Sequence, residues 1–338
     1  AARRGWHDQA QRTRGKCLRQ CDRVGQTQQQ RNTNDTNGSH APMVAQFSAR
    51  MNGHAPSLLD GAPRSGQNRR MKYTLDIEPG IALRYCIDDY TDPWRQTETI
   101  VLVHGFCESA EAWRSWVPLL ARHYRIVRPD QRGFGRSSPM REDYAWSLDT
   151  LTDDLAAVIA AAGGAPVHLI GAKIGATVSA HFAARHPQLL KTLTLIGLPV
   201  SGPKSRADWI KLAREQGVRA WARLTMEDRL GAGTPTAMLE AWSDLMGATP
   251  LSTMLGFMGA VGGFNVAGDL PRIACPVLAM TSDSKLHPVA EAESWRKQLR
   301  QSELAVIPGD GFHASAVYPD ACAQAALAFI AKHATQEK

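Results

Sequence analysis

The sequence has no apolar run of the ~18 residues that a membrane-spanning helix needs, so it offers no candidate span. It is also poor in cysteine: Cys17, Cys21, Cys86, Cys107, Cys275 and Cys322 are scattered without the paired spacings of a disulfide framework. Cys17 and Cys21 lack a second ligand pair at zinc-site spacing, so free thiols in a reducing, cytoplasmic compartment are the expectation. Neither a metal nor an organic cofactor is implied. Charge of one sign is missing where a core could form. Residues 1–70 hold 12 basic and 4 acidic side chains, whereas the remainder holds 27 and 28, so the net charge of +7 belongs to the first segment. A body without charge excess has no electrostatic footprint for nucleic acid.

What residues 1–70 lack is apolar periodicity. They are rich in Gln, Arg, Asn, Gly and Ser, and such a stretch cannot bury enough surface to offset its ordering entropy. It has no apolar core of a secretory signal and no convincing amphipathic helix of a transit peptide. Two expectations follow: a disordered extension, or an upstream stretch joined to a gene that begins at Met71.

From Met71 the texture changes. Residues 72–77 and 81–88 alternate like a hairpin pair split by Glu78-Pro79-Gly80. The apolar run 99–103 reads as a buried parallel strand, as do the segments 125–127, 167–170, 192–196, 277–280 and 304–307. Helical patterns such as 151–162 and 174–185 separate them. This alternation predicts an α/β fold with a mainly parallel sheet and helices on both faces. It stops between Pro199 and Arg272, where helix-like spacing is rich in Trp and Met. The organisation expected is a core of residues 71–198 and 273–338 with a helical cap at 199–272. The cap would sit over the sheet's C-terminal edge, where open α/β sheets bind ligands. Trp209, Trp242 and Phe257 are the candidates for lining the substrate cavity beneath it.

Several motifs occur in a telling order: Val103-His104-Gly105-Phe106, then Pro129 through Ser137 with Asp130-Gln131-Arg132-Gly133, then Gly171-Ala172-Lys173-Ile174-Gly175, and finally Pro308 through His313. From Met71 onward the chain resembles the α/β-hydrolase fold superfamily, and within it the 3-oxoadipate enol-lactonase and esterase branch. The resemblance implies a nucleophile elbow at 171–175, where a strand turns sharply into a helix and pushes residue 173 into the crevice. It implies an oxyanion site made by the backbone N–H groups of Phe106 and Ile174. It also implies that His313 is the general base. The orienting acid should follow the strand 277–280, where Asp283 is the one carboxylate in Thr281 through Lys285, a residue or two early for the family's spacing. Asp130 reads as a structural partner of Arg132 and the crevice loops.

The departure from the family lies at the apex, where Lys173 stands in place of serine. Acylated lysine is an amide, so the acyl-serine cycle does not transfer. Four readings stay open. His313 and Asp283 activate water while Lys173 holds a carboxylate or oxyanion; Lys173 forms a Schiff base; neutral Lys173 moves a proton in a lyase or isomerase reaction; or the pocket only binds a ligand. A thiol route through Cys107 is a further, lesser alternative. The function expected is that of a hydrolase-fold enzyme acting on a small carbonyl compound, a lactone or an ester that can bear a carboxylate.

Overall fold

The computed structural model describes residues 69–203 and 207–334, all within one compact unit, Ser65–Lys338. The readings of residues 1–68, including Cys17 and Cys21, lie outside the described residues.

Eight strands form one sheet: β1 (Arg69–Glu78), β2 (Ile81–Asp89), β3 (Thr99–Val103), β4 (Arg125–Asp130), β5 (Val167–Ala172), β6 (Leu190–Ile196), β7 (Val277–Ser282) and β8 (Ser302–Ile307). Their spatial order is β1-β2-β4-β3-β5-β6-β7-β8. The first two pairings, β1 with β2 and β2 with β4, are antiparallel, and the rest are parallel. Thus the hairpin read at 72–88 and every parallel strand read from its apolar run are present. β1 begins two residues before Met71, with Arg69 and Arg70 opposite Asp89 and Asp88.

The helices are α1 (Val117–Leu120), α2 (Leu148–Ala161), α3 (Ile174–Arg185), α4 (Ala207–Leu230), α5 (Thr236–Gly247), α6 (Leu251–Val261), α7 (Val289–Arg296), α8 (Ala314–Val317) and α9 (Pro319–Ala334). The period-2 geometry of the strands divides their side chains between two faces. Val101, Val103, Leu169, Leu193 and Ala279 join Leu155 and Val158 of α2, Ala180 of α3 and Trp295 of α7. Ile100, Leu102, Ile170, Ile196 and Met280 join Leu120 of α1 and Ala326, Phe329 and Ile330 of α9. Both faces of the central strands are therefore buried, which is why those strands read as unbroken apolar runs rather than alternating ones.

Helices α4 to α6 intervene between β6 and β7. The helical run of α4 is broken at Gly217, whose φ of 86° and ψ of 166° are not helical. Trp221, Met226, Met246, Met254 and Phe257 from these helices pack with Phe134, Trp146, Ile174 and Val178 of the sheet body into a third apolar cluster. That cluster seats the three helices beside the elbow.

Candidate active site

The elbow is built as its glycines require. A Cβ on Gly171 would run into Ser179 Oγ and the Gly175 carbonyl, and one on Gly175 into the carbonyls of Val103 and His104. These close approaches let α3 start immediately after β5. Lys173 at the apex has φ 56° and ψ −124°, a conformation that costs a side-chain-bearing residue on the order of 1–3 kcal/mol and persists where its surroundings over-determine it. Its N–H donates to Ile196 O at 2.9 Å, pinning the turn to β6.

The Lys173 amine is not in solvent. The residue is buried; Nζ donates to the Phe312 carbonyl and stands 4.0 Å from the centroid of the Phe312 ring. Burial holds its pKa well below the ordinary lysine value, and the nearby Arg229 charge adds to that, against smaller opposing effects of Glu108 and Glu291. The surroundings of the apex amine thus disfavour its charged form.

His313 is buried, and its Nε2 lies 2.6 Å from Glu108 Oε1. Burial alone would raise the Glu108 carboxyl, but the charge and hydrogen bond of His313, helped by His104 and the Gly105 N–H, bring it below its ordinary value. An ionised carboxylate only accepts, so Nε2–H is the donor. The other oxygen of Glu108 accepts the Gly105 N–H at 2.9 Å, and Ser315 Oγ lies 3.2 Å from His313 Nδ1. Both ring nitrogens are therefore engaged. The Trp242 ring sits 5.1 Å from the imidazole.

Asp283 is not brought to His313. Its side chain is exposed while Thr281, Ser282 and Ser284 around it are buried, and the buried turn is closed by Ser282 Oγ donating to Gly311 O at 2.6 Å and Ser284 Oγ accepting the His287 N–H at 3.0 Å. The carboxylate partner of His313 is Glu108, from the loop after β3. Asp130 does not pair with Arg132 either. It accepts the N–H groups of Ala110 and Arg136 at 2.6 and 3.0 Å, tying the crevice loops together, while Arg132 forks onto Asp154 at 2.7 Å and reaches Glu78 at 2.8 Å.

The N–H groups of Phe106 and Ile174 donate to no acceptor among the described residues. Ile174 is the first residue of α3, where an amide has no intrahelical partner. Phe106 is held by stacking on Phe257 at 5.2 Å and edge contacts with Phe134 and Trp221. Phe257 also meets Trp146 at 4.9 Å and Phe264 at 5.7 Å, so it is packed into the apolar cluster rather than lining open space. Trp209 rests edge-on against Trp221 at 5.9 Å. Cys107 is fully buried with φ 57°, and burial pushes its thiol well up, which disfavours the thiolate that a nucleophilic role needs.

Two groups at the site escape a reading of the sequence. One is Glu108. The other is Arg229, near the end of α4, whose guanidinium carbon lies 5.3 Å from the Trp221 ring and 5.9 Å from the Phe312 ring. Trp221, Thr225 and Arg229 are spaced i, i+4, i+8, one face of a helix, and that spacing is the signal that could have found the arginine. Behind Lys173, Gly197 (φ 55°) comes so close that a Cβ there would lie 2.8 Å from Nζ. Among the described residues no three side chains form a metal-ligand group, and no helix is long and apolar enough to cross a membrane.

Comparison with known proteins agrees with this architecture. The family described as alpha/beta hydrolase fold matches residues 98–254. Epoxide hydrolase B of Mycobacterium tuberculosis is 38% identical over 111 residues, 32% of this chain, and the matched part spans 31% of that protein's length. Among solved structures, an esterase from Thermogutta terrifontis superposes with a TM-score of 0.68 at 22% identity, covering 78% of this chain and 99% of the esterase. The enol-lactonase from Burkholderia xenovorans LB400 gives a TM-score of 0.68 at 19% identity, covering 75% of this chain and 97% of that enzyme. At these identities the superpositions speak for the fold alone.

Proposed function

This is an α/β-hydrolase-fold protein, and from that premise we propose that it is an enzyme acting on a small carbonyl compound through the neutral amine of Lys173. The observation that carries the proposal is the environment of Nζ: buried, its charge disfavoured by desolvation and by Arg229, and held at the apex of a strained elbow. A lysine whose pKa is lowered in this way is activated for attack on a ketone or aldehyde.

In the step proposed, the Nζ lone pair forms a bond to the carbonyl carbon while the π pair moves onto oxygen. The Phe106 and Ile174 N–H groups are the donors for that oxyanion. A proton passes from nitrogen to oxygen, water leaves, and an imine joins Lys173 to the substrate; hydrolysis reverses it. The imine withdraws electrons from the adjacent carbon, which favours loss of a proton or a carboxyl group there. With an ester or lactone the same amine would end as a stable amide, so those substrates do not suit this route.

Incubation with a small ketone and cyanoborohydride, followed by peptide mass analysis, should place a reduced adduct on Lys173. Absence of any adduct with ketones and aldehydes overturns the proposal. One observation favours a second reading: the 2.6 Å contact of His313 with Glu108 is a base held by an acid, and could serve water attack on an ester or lactone. That route would give hydrolysis without an adduct, so the same pair of assays separates the two.

A further inference from the structure

Beside the apex amine stands a cation whose hydrogen-bonding fork the amine chemistry does not use. Arg229 lies close enough to Lys173 and Cys107 for its charge to act on both, and close enough to Glu108 to feel that carboxylate. Its backbone carbonyl accepts the His313 N–H at 2.9 Å, which fixes the end of α4 to the loop after β8. Its Nε donates to Thr225 Oγ1 at 3.2 Å, and its guanidinium carbon lies 5.3 and 5.9 Å from the Trp221 and Phe312 ring centroids. Its two terminal nitrogens make no hydrogen bond and no ion pair among the described residues. Three other arginines of α4 behave differently: Arg219 and Arg223 share Glu240, and Arg214 pairs with Glu142. Arg229 is half-buried, and its terminal nitrogens stay open to an incoming anion.

We propose that the free fork of Arg229 is the carboxylate subsite of the Lys173 centre, and that the substrate class is a small oxo acid. This rests on the amine reading given above and adds the identity of the group beside the carbonyl. The two residues meet at the same aromatic plate, with Lys173 Nζ at 4.0 Å and the Arg229 guanidinium carbon at 5.9 Å from the Phe312 ring. A short oxo acid thus has one feature for each residue: the carbonyl carbon for the amine and the carboxylate for the planar fork. Arginine suits the second task better than lysine because two parallel N–H donors match two carboxylate oxygens.

The test compares two short oxo acids, pyruvate and acetoacetate, with two uncharged ketones, acetone and 2-butanone, in the cyanoborohydride assay. The full chain should be modified at Lys173 by the oxo acids at ~10–100-fold lower concentration, the range expected of a charge-assisted hydrogen bond. Arg229→Gln should abolish that preference, so that acids and ketones react at like concentrations whatever the change in the absolute rate, and Arg229→Lys should recover only part of it. Equal reactivity of acids and ketones in the native protein overturns the carboxylate subsite but leaves the amine reading standing. Retention of the acid preference in Arg229→Gln also overturns it. No adduct with any of the four compounds overturns both.

Discussion

Replacing His313 by alanine offers the sharpest energetic test, because the structure gives it a consequence for stability that a loop position would not suggest. The imidazole is buried and donates to a carboxylate that is buried as well. Truncation removes one partner and leaves the Glu108 charge in the interior with the Gly105 N–H as its remaining donor. Breaking a buried pair in this way costs about 3–5 kcal/mol. The loss depends on pH in a definite direction. Glu108 has a folded pKa below its unfolded value near 4.3, so the stability it contributes is fully present above that unfolded value. It is lost as pH falls through the lower folded value. In His313→Ala the carboxyl loses that support, and burial drives its pKa upward, so acidification relieves the variant while it weakens the native protein. Urea unfolding at pH 7 and again near pH 4 should show a gap of about 3–5 kcal/mol that narrows on acidification. The double variant His313→Ala, Glu108→Leu should regain much of the loss, since no uncompensated charge remains. A loss below about 1 kcal/mol at pH 7, the scale of an exposed pair, or a double variant no better than the single one, would refute the reasoning.

Three further outcomes follow from the geometry of the apex. Lys173→Met should abolish adduct formation and raise stability at neutral pH, because burial disfavours the charged amine in the fold while the unfolded chain holds it protonated; the gain should shrink as pH rises toward about 10.4, and a destabilised variant at pH 7 would contradict it. Lys173→Ser should fold but show no burst with p-nitrophenyl acetate, since both nitrogens of His313 are engaged by Glu108 and Ser315; acyl-serine accumulation would show that the imidazole is free to serve. Gly197→Ala should cost about 1–2 kcal/mol for its left-handed backbone and slow adduct formation, because the added methyl falls 2.8 Å from Nζ; unchanged trapping kinetics would show that the amine does not need its observed position.

The parts of this protein that were legible in the sequence are those fixed by local periodicity and close packing. Central strands buried on both faces announce themselves as apolar runs, and the elbow does so through Gly171 and Gly175, whose missing side chains are required by the backbone four residues on and by that of Val103 and His104 at the end of β3. Partners set by tertiary geometry were not legible. Glu108 and His313 are 205 positions apart, and a glutamate in a loop after a His-Gly turn looks like a solvated side chain. Asp283 was attractive because no other carboxylate follows β7 closely, yet the turn carries its side chain outward and points Ser282 and Ser284 in. The aromatic candidates divide in the same way. Trp242 reaches the imidazole, whereas Phe257 is consumed in stacking on Phe106 and in an edge contact with Trp146. Composition could mark these residues as apolar wall, but not which of them faced the site.

The replacement of the apex residue and the pairing of the histidine belong together. In a serine-type centre the histidine must keep a nitrogen for the nucleophile's proton, and an acid must hold the other. A neutral amine carries its own lone pair and has no proton to surrender before attack, so it makes no such demand. Once the apex is lysine, the imidazole is released from activating it and can bond to a carboxylate on one side and a hydroxyl on the other, as His313 does. An acid at position 283 then has nothing to orient, and its exposure costs nothing. What the amine does need is low charge, and the fold supplies that by burial and by placing the Arg229 cation nearby. The same cation is left with an unfilled fork, so a group that adds to burial in disfavouring charge on Lys173 is also the one that would recruit an anionic substrate.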